Sequence, residues 1–166
     1  MLMDRDDDGL VIGLGCERGT PPHEVIRLAE CAIAGMGSDC KIVCIASLDT
    51  RAGEPAILAA ARHFSVPLRV FDASRLEVET PRLRHPSQRV FALAGCHGVA
   101  EAAALAAAGE SGTLIVPKMK SAHATAAVAL LSVVESEQAL AAKTGEIESA
   151  ASPSDSRRDQ NERVPA

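Results

Sequence analysis

Apolar residues fall along this chain in short blocks separated by glycine, proline and charge, and the period of the blocks alternates. Residues 10–14 (LVIGL) are an apolar run ended by glycines, the pattern of a strand buried on both faces. Thr20 then precedes Pro21 and Pro22. A hydroxyl at the N-cap followed by proline at N1 predicts a helix start, because the missing proline N–H would have had no intrahelical partner. Val25, Leu28, Ala29, Ala32, Ile33 and Met36 give that helix one apolar face, and Gly35 and Gly37 close it. Residues 42–48 (IVCIASL) form a second buried strand, followed by a turn over residues 49–55, with Pro55 opening the next helix. Ile57, Ala61 and Phe64 form the stripe of that helix. Residues 67–71 (PLRVF) read as a third strand, placed toward an edge by its proline.

Residues 72–88 have no strong period and carry Pro81, Pro86 and several arginines, so they predict a long irregular connection of the kind that often carries function. Residues 99–108 (VAEAAALAAA) are a strong helix former with small side chains, stopped by Gly109. Residues 114–116 form a brief strand leading into a loop over residues 117–123. The apolar stretch 125–134 fits a strand or a helix, and periodicity does not decide between them. Strand and helix alternate three times, which predicts an α/β fold: a single domain built as a three-layer sandwich around a mostly parallel central sheet. The expected organisation is an acidic N-terminus over residues 1–8, the α/β domain over 9–134, and a polar tail over 135–166. That tail cannot bury enough apolar surface to offset the entropy of ordering it.

Composition narrows the function classes. The apolar 47% of the 166 residues is built from Ala, Val, Leu and Ile, with three Phe and no Trp or Tyr, so a ligand is not expected between stacked rings. A net charge of -5 argues against nucleic acid and anionic membranes as partners. No apolar run approaches the roughly 20 residues that span a bilayer. The start, MLMDRDDDG, is the reverse of a secretory signal, so a cytoplasmic protein is expected. The five cysteines, Cys16, Cys31, Cys40, Cys44 and Cys96, include no CxxC pair, so neither disulfides nor a zinc site is expected, and no cofactor motif is present.

In such folds ligands sit beyond the carboxyl ends of the strands, where the loops at 13–20, 49–55 and 117–123 would gather. The first, GLGCERGT, offers glycine amides and a helix start to an anion. Its glycines, Gly13, Gly15 and Gly19, are spaced one residue too long for the dinucleotide fingerprint. No acidic residue ends the second strand, and a P-loop's Lys-Ser/Thr pair is missing. A plain tight turn is the competing reading. Cys16, placed near the helix start, is a candidate for a lowered thiol pKa, and Arg18 adds a cation. In the second segment, Asp49 and Glu54 serve either turn chemistry or a general base. In the third, Gly95-Cys96-His97-Gly98-Val99-Ala100-Glu101, His97 precedes a helix and Glu101 lies in its first turns; one such pair falls far short of a metal site. In the fourth, Lys118 and Lys120 directly follow a strand on an acidic chain, which suits a polycarboxylate or a phosphate.

Taken in order and spacing, GLGCERGT, SLDTRAGEP, HPSQRV with GCHGVAEAAAL, and VPKMKSAHATAAVA resemble the CobE family, relatives of the C-terminal domain of CbiG, the cobalt-precorrin-5A hydrolase of vitamin B12 synthesis. The resemblance covers about residues 10–131. The family's last motif reads closer to KSPNAT; here Ala122 and His123 take the places of its proline and asparagine. The resemblance implies a part in the aerobic route of cobalamin biosynthesis and, as partners, precorrin or corrinoid tetrapyrroles ringed by carboxylates, together with other enzymes of the pathway. The ligand-binding residues it suggests are Gly13, Gly15, Cys16, Arg18, Gly19, Thr20, Asp49, Gly95, His97, Lys118, Lys120, Ser121 and Thr125. Two further readings stand beside a binding protein. One is a hydrolase of a precorrin lactone or acyl group, with Glu54 and Glu101 as catalytic candidates. The other is a nucleotide-binding or subunit-interaction module.

Overall fold

Alternation along the first strand decides the architecture. In the computed structural model, described over residues 9–37 and 40–131, β1 (Gly9–Cys16) lies at the centre of a five-stranded sheet. Its even-numbered residues Leu10, Ile12 and Leu14 pack on one face with the helices α1 (Pro22–Ile33) and α2 (Pro55–Phe64). Its odd-numbered Val11 points to the other face, against α5 (Ala100–Ala108). Opposite-facing neighbours are what a period of two dictates, and here both faces are covered. The result is the expected α/β sandwich.

The sheet order is β3-β2-β1-β5-β4, with β2 at Lys41–Leu48, β3 at Leu68–Phe71, β4 at Thr113–Lys120 and β5 at Ala124–Leu131. The expectation of a mostly parallel sheet holds only for the β3-β2-β1 half. The described part of the ambiguous stretch 125–134, up to Leu131, lies in β5, which inserts between β1 and β4 and runs antiparallel to both. A tight hairpin joins β4 to β5, and antiparallel pairing needs no crossover helix. Pro117 to Lys120, expected in a loop, therefore ends a strand instead. The edge position expected for β3 is observed.

Every residue of α5 is buried, which explains its near-uniform alanine: a helix covered all round needs small apolar side chains on all sides. It lies directly on β1 at Gly13, where an added Cβ would overlap the Ala100 carbonyl oxygen and sit 2.8 Å from the Ala104 nitrogen. The irregular connection contains a short helix, α3 (Ala73–Glu77), and a 3-10 turn at Thr80–Arg82, and a second short helix, α4 (Gln88–Ala94), begins where it ends. Arg82 fastens the connection by donating to the buried Glu79 and to the carbonyls of Gly109 and Gly112. The N-cap of α1 is Pro21 rather than Thr20, and no side chain caps it. The Thr20 hydroxyl instead donates to the Glu17 carbonyl at 2.6 Å, closing the preceding turn. The terminal segments 1–8 and 132–166 lie outside the described residues.

Candidate functional site

The carboxyl ends of β1 and β4 and the start of β5 meet at one edge of the sheet, because β5 runs antiparallel between two strands that share a direction. A cleft of about 390 Å³ opens there. Its floor is Gly15, Cys16, Gly98, Val99 and Thr125. One wall is the end of β4 and the following hairpin turn, with Lys118, Lys120, Ser121 and His123. The facing wall is α4, presenting Arg89, Val90 and Leu93. Three cations thus line a cleft that also carries exposed aliphatic surface. Burial beside Lys120 lowers the Lys118 ammonium pKa, an effect opposed by the Glu101 carboxylate.

The first wall is held firmly. The hairpin turn grips the Glu24 carboxylate of α1 through the Ser121 hydroxyl, the His123 backbone N–H at 2.7 Å and the His123 ring Nδ1 at 3.0 Å. These bonds hold Glu24 down at a pKa of about 2 and raise that of His123. From the same turn, the His123 carbonyl accepts the Glu17 N–H at 3.0 Å and is approached by the Thr20 hydroxyl at 3.4 Å. Hairpin, glycine turn and the start of α1 are one fastened unit.

The glycine turn itself does not present a row of amides to a ligand. The N–H of Glu17 goes to His123, and that of Gly19 goes to the buried Glu54 carboxylate at 3.1 Å. Gly13 and Gly15 lie within the paired part of β1. From the other side, Arg51 donates to the Cys16 carbonyl at 2.7 Å and Ser47 to the Leu14 carbonyl at 2.6 Å. The positive charge at the cleft therefore comes from side chains, Arg89, Lys118 and Lys120, rather than from turn amides. Cys16 ends β1 rather than starting a helix, and burial pushes its thiol pKa up, with Glu54 adding to the effect. The thiol is therefore harder to ionise, contrary to the lowered pKa expected from a helix start.

Of the residues singled out from the sequence, Gly15, Cys16, Lys118, Lys120, Ser121 and Thr125 line the cleft. Gly13 lies under α5, Thr20 is buried in its turn, and Arg18 and Gly19 are exposed on the turn outside the lining. Asp49 begins an exposed 3-10 turn. Gly95 caps α4 in the left-handed conformation, with φ +81°. His97 binds Glu77 twice, through its backbone N–H and through Nδ1 at 2.7 Å, and stacks on Phe91. Glu101, only 1% exposed, accepts the N–H groups of Arg84, His85 and Lys118. Neither Glu54 nor Glu101 is among the cleft-lining residues, and backbone amides engage both carboxylates. Arg89 falls within the motif HPSQRV but is not among the site candidates, and Leu93 lies outside every motif; a helix of seven residues leaves no period to find them by. Among the described residues no group of His, Cys, Asp and Glu is arranged to hold a metal ion, and no helix is long and apolar enough to cross a membrane.

Fold and cleft together define an α/β sandwich with a cation-lined cleft at the carboxyl ends of its strands. The chain belongs to the family described as Cobalamin synthesis G C-terminus, which matches residues 10–129, and is thus a cobalamin-biosynthesis protein of the CobE and CbiG C-terminal kind. It is 57% identical over 137 residues to Protein CobE of Sinorhizobium sp, covering 81% of this chain and 88% of that one. It is 31% identical over 123 residues, 74% of this chain, to a cobalt-precorrin-5A hydrolase of Priestia megaterium, of which it spans 32%. The crystal structure of CobE, a protein from the cobalamin (vitamin B12) biosynthetic pathway, superposes with a TM-score of 0.68 at 30% identity, covering 75% of this chain and 92% of that one. A cobalamin biosynthesis protein chiG from Agrobacterium tumefaciens follows at 0.55 and 30%, covering 74% and 98%. The resemblance carried by the four sequence motifs is thereby confirmed.

Proposed function

We propose that the protein binds a carboxylate-bearing precorrin or corrinoid intermediate of cobalamin biosynthesis in the cleft above β1 and β4, holding an unstable tetrapyrrole or passing it to another enzyme of the pathway in the cytoplasm. The observation that carries this reading is the meeting of Arg89, Lys118 and Lys120 with the aliphatic surface of Val90 and Leu93 in one cleft. A tetrapyrrole offers the complement: a broad apolar ring system with acetate and propionate groups at its rim. Cations at the cleft edge would pair with the carboxylates while the small floor residues and α4 meet the ring. The family relationship supports the class of ligand.

Hydrolysis through Glu54 or Glu101 has less support, because a general base needs a carboxylate facing the reacting group, and both of these serve backbone N–H donors. The experiment is to mix purified protein with precorrin intermediates and cobyrinic acid and to follow pigment through gel filtration. Retained pigment that is reduced in the K118Q/K120Q variant supports the proposal; pigment that elutes free at micromolar protein overturns it.

A further inference from the structure

The two walls of the cleft are held very differently. The hairpin wall is tied to α1 and to the glycine turn by the bonds around Glu24 and His123. The α4 wall buries none of its seven residues. Leu93, which lines the cleft, is 80% exposed, and Phe91 is 43% exposed. Exposed aliphatic surface such as that of Leu93 costs free energy in water, and the cost is recovered when something covers it.

The attachments of α4 lie at its two ends, and at the second Ala94 packs against the core. The Ser87 N–H donates to the His97 carbonyl at 2.7 Å, closing residues 87–97 into a lobe with a narrow stem. His97 is pinned to Glu77 of α3 through its backbone N–H and its ring. The Phe91 ring rests on the His97 ring with centroids 4.4 Å apart. Gly95, at φ +81°, turns the chain back toward the stem, a conformation that glycine adopts without strain. The lobe is therefore held at its stem and, through Ala94 and Cys96, against the core, while its helix buries none of its own residues. Local opening and closing of such a segment needs little free energy, because few buried contacts have to break.

We infer that α4 is a clasp on this site, closing toward the hairpin when ligand enters, with Leu93 covering the apolar face of the tetrapyrrole and Arg89 pairing with a rim carboxylate opposite Lys118 and Lys120. Charge complementarity names the occupant: Arg89, Lys118 and Lys120 line one cleft against a single carboxylate, Glu17, and the apolar Leu93 lines it with them. The inference rests on the ligand class proposed above. His97 acts in it as a positioning residue, holding the stem about which the lobe moves.

Hydrogen–deuterium exchange on the whole protein tests it, with cobyrinic acid and its fully methylated ester as probes and binding measured in parallel by equilibrium dialysis. With cobyrinic acid bound, amides of residues 88–94 are expected to slow by about tenfold or more, while those of β4 and β5 change little, because the hairpin is already fastened. The R89Q variant is expected to bind cobyrinic acid about tenfold more weakly and the ester unchanged, the loss expected of one charge-assisted contact. Binding without added protection over residues 88–94 overturns the clasp and leaves the proposed function standing. Absence of binding by the wild-type protein overturns both. Equal affinity of R89Q and wild type for the acid removes Arg89 from the clasp's contacts and overturns that assignment.

Discussion

Replacing Glu101 by glutamine changes one atom of a carboxylate and separates a clamp from a catalytic acid. Oε1 accepts the N–H groups of Arg84 and His85 at 3.0 and 2.9 Å, and Oε2 accepts that of Lys118 at 2.9 Å. All three bonds converge on a side chain 1% exposed. In glutamine one oxygen becomes an NH₂ group. If the remaining oxygen keeps Arg84 and His85, the new donor faces the Lys118 N–H, and two donors meet without an acceptor. Losing one hydrogen bond to a charged group costs about 1.5–3 kcal/mol, and the stranded buried donor adds about 1–3 kcal/mol. Together these come to about 2.5–6 kcal/mol, a fall in Tm of roughly 8–20 °C for a domain of this size. Glu101→Ala removes all three bonds and leaves a cavity, so it is expected to cost more. Thermal and urea denaturation followed by circular dichroism measure both. A Tm for Glu101→Gln within about 1 °C of wild type would refute the clamp. Loss of function at unchanged stability would return Glu101 to a chemical role.

Four other outcomes follow from the same structure. Gly13→Ala forces α5 off β1 and is expected to yield little folded protein, whereas Gly35→Ala, with open space around it, should be near neutral; soluble yield and urea midpoints separate them. Glu54→Gln weakens only the bond to the Gly19 N–H and should cost about 1 kcal/mol, well below Glu101→Gln in the same urea titration. The Glu24–His123 latch gives stability a pH window. The lowered Glu24 contributes fully above its ordinary pKa of 4.5 and is lost as pH falls toward about 2, while the raised His123 contributes fully below 6.5 and is lost as pH rises through its higher folded value. His123→Gln should therefore flatten the alkaline arm of a plot of urea midpoint against pH, and an unchanged arm would show that the latch does not titrate. K118Q/K120Q should weaken cobyrinic acid binding by about 5–30-fold, the worth of two partly exposed cations, and a Kd equal to wild type would place the carboxylates elsewhere.

Much of the frame could be read from the chain because its signals are local. Glycine-ended apolar runs marked β1 and β2, Pro55 started α2 where it stands, and Pro67 foretold the edge position of β3. The segment ATAAVALL could not be assigned from its pattern, since a strand of small residues with both faces covered shows no alternation. Its insertion between β1 and β4 turned half the sheet antiparallel, moving Lys118 and Lys120 from a loop to the end of a strand. The two lysines remained at the site because their chemistry did not depend on that assignment. The amides of the glycine turn are another matter. Their partners, Glu54 and the His123 carbonyl, are 35 and more than 100 residues away along the chain, and no local pattern encodes such pairings. The same holds for Glu101, whose three donors come from two distant segments. Arg89 and Leu93 gain meaning only once α4 is known to stand across from the hairpin.

The most direct measurement of the central claim is a crystal structure of the protein soaked with cobyrinic acid. Corrin density lying across the cleft, with rim carboxylates within hydrogen-bond distance of Lys118 and Lys120 and the ring against Leu93, is the expected result. Corrin density seated on another face, with the cleft occupied only by solvent at saturating ligand, would contradict the account.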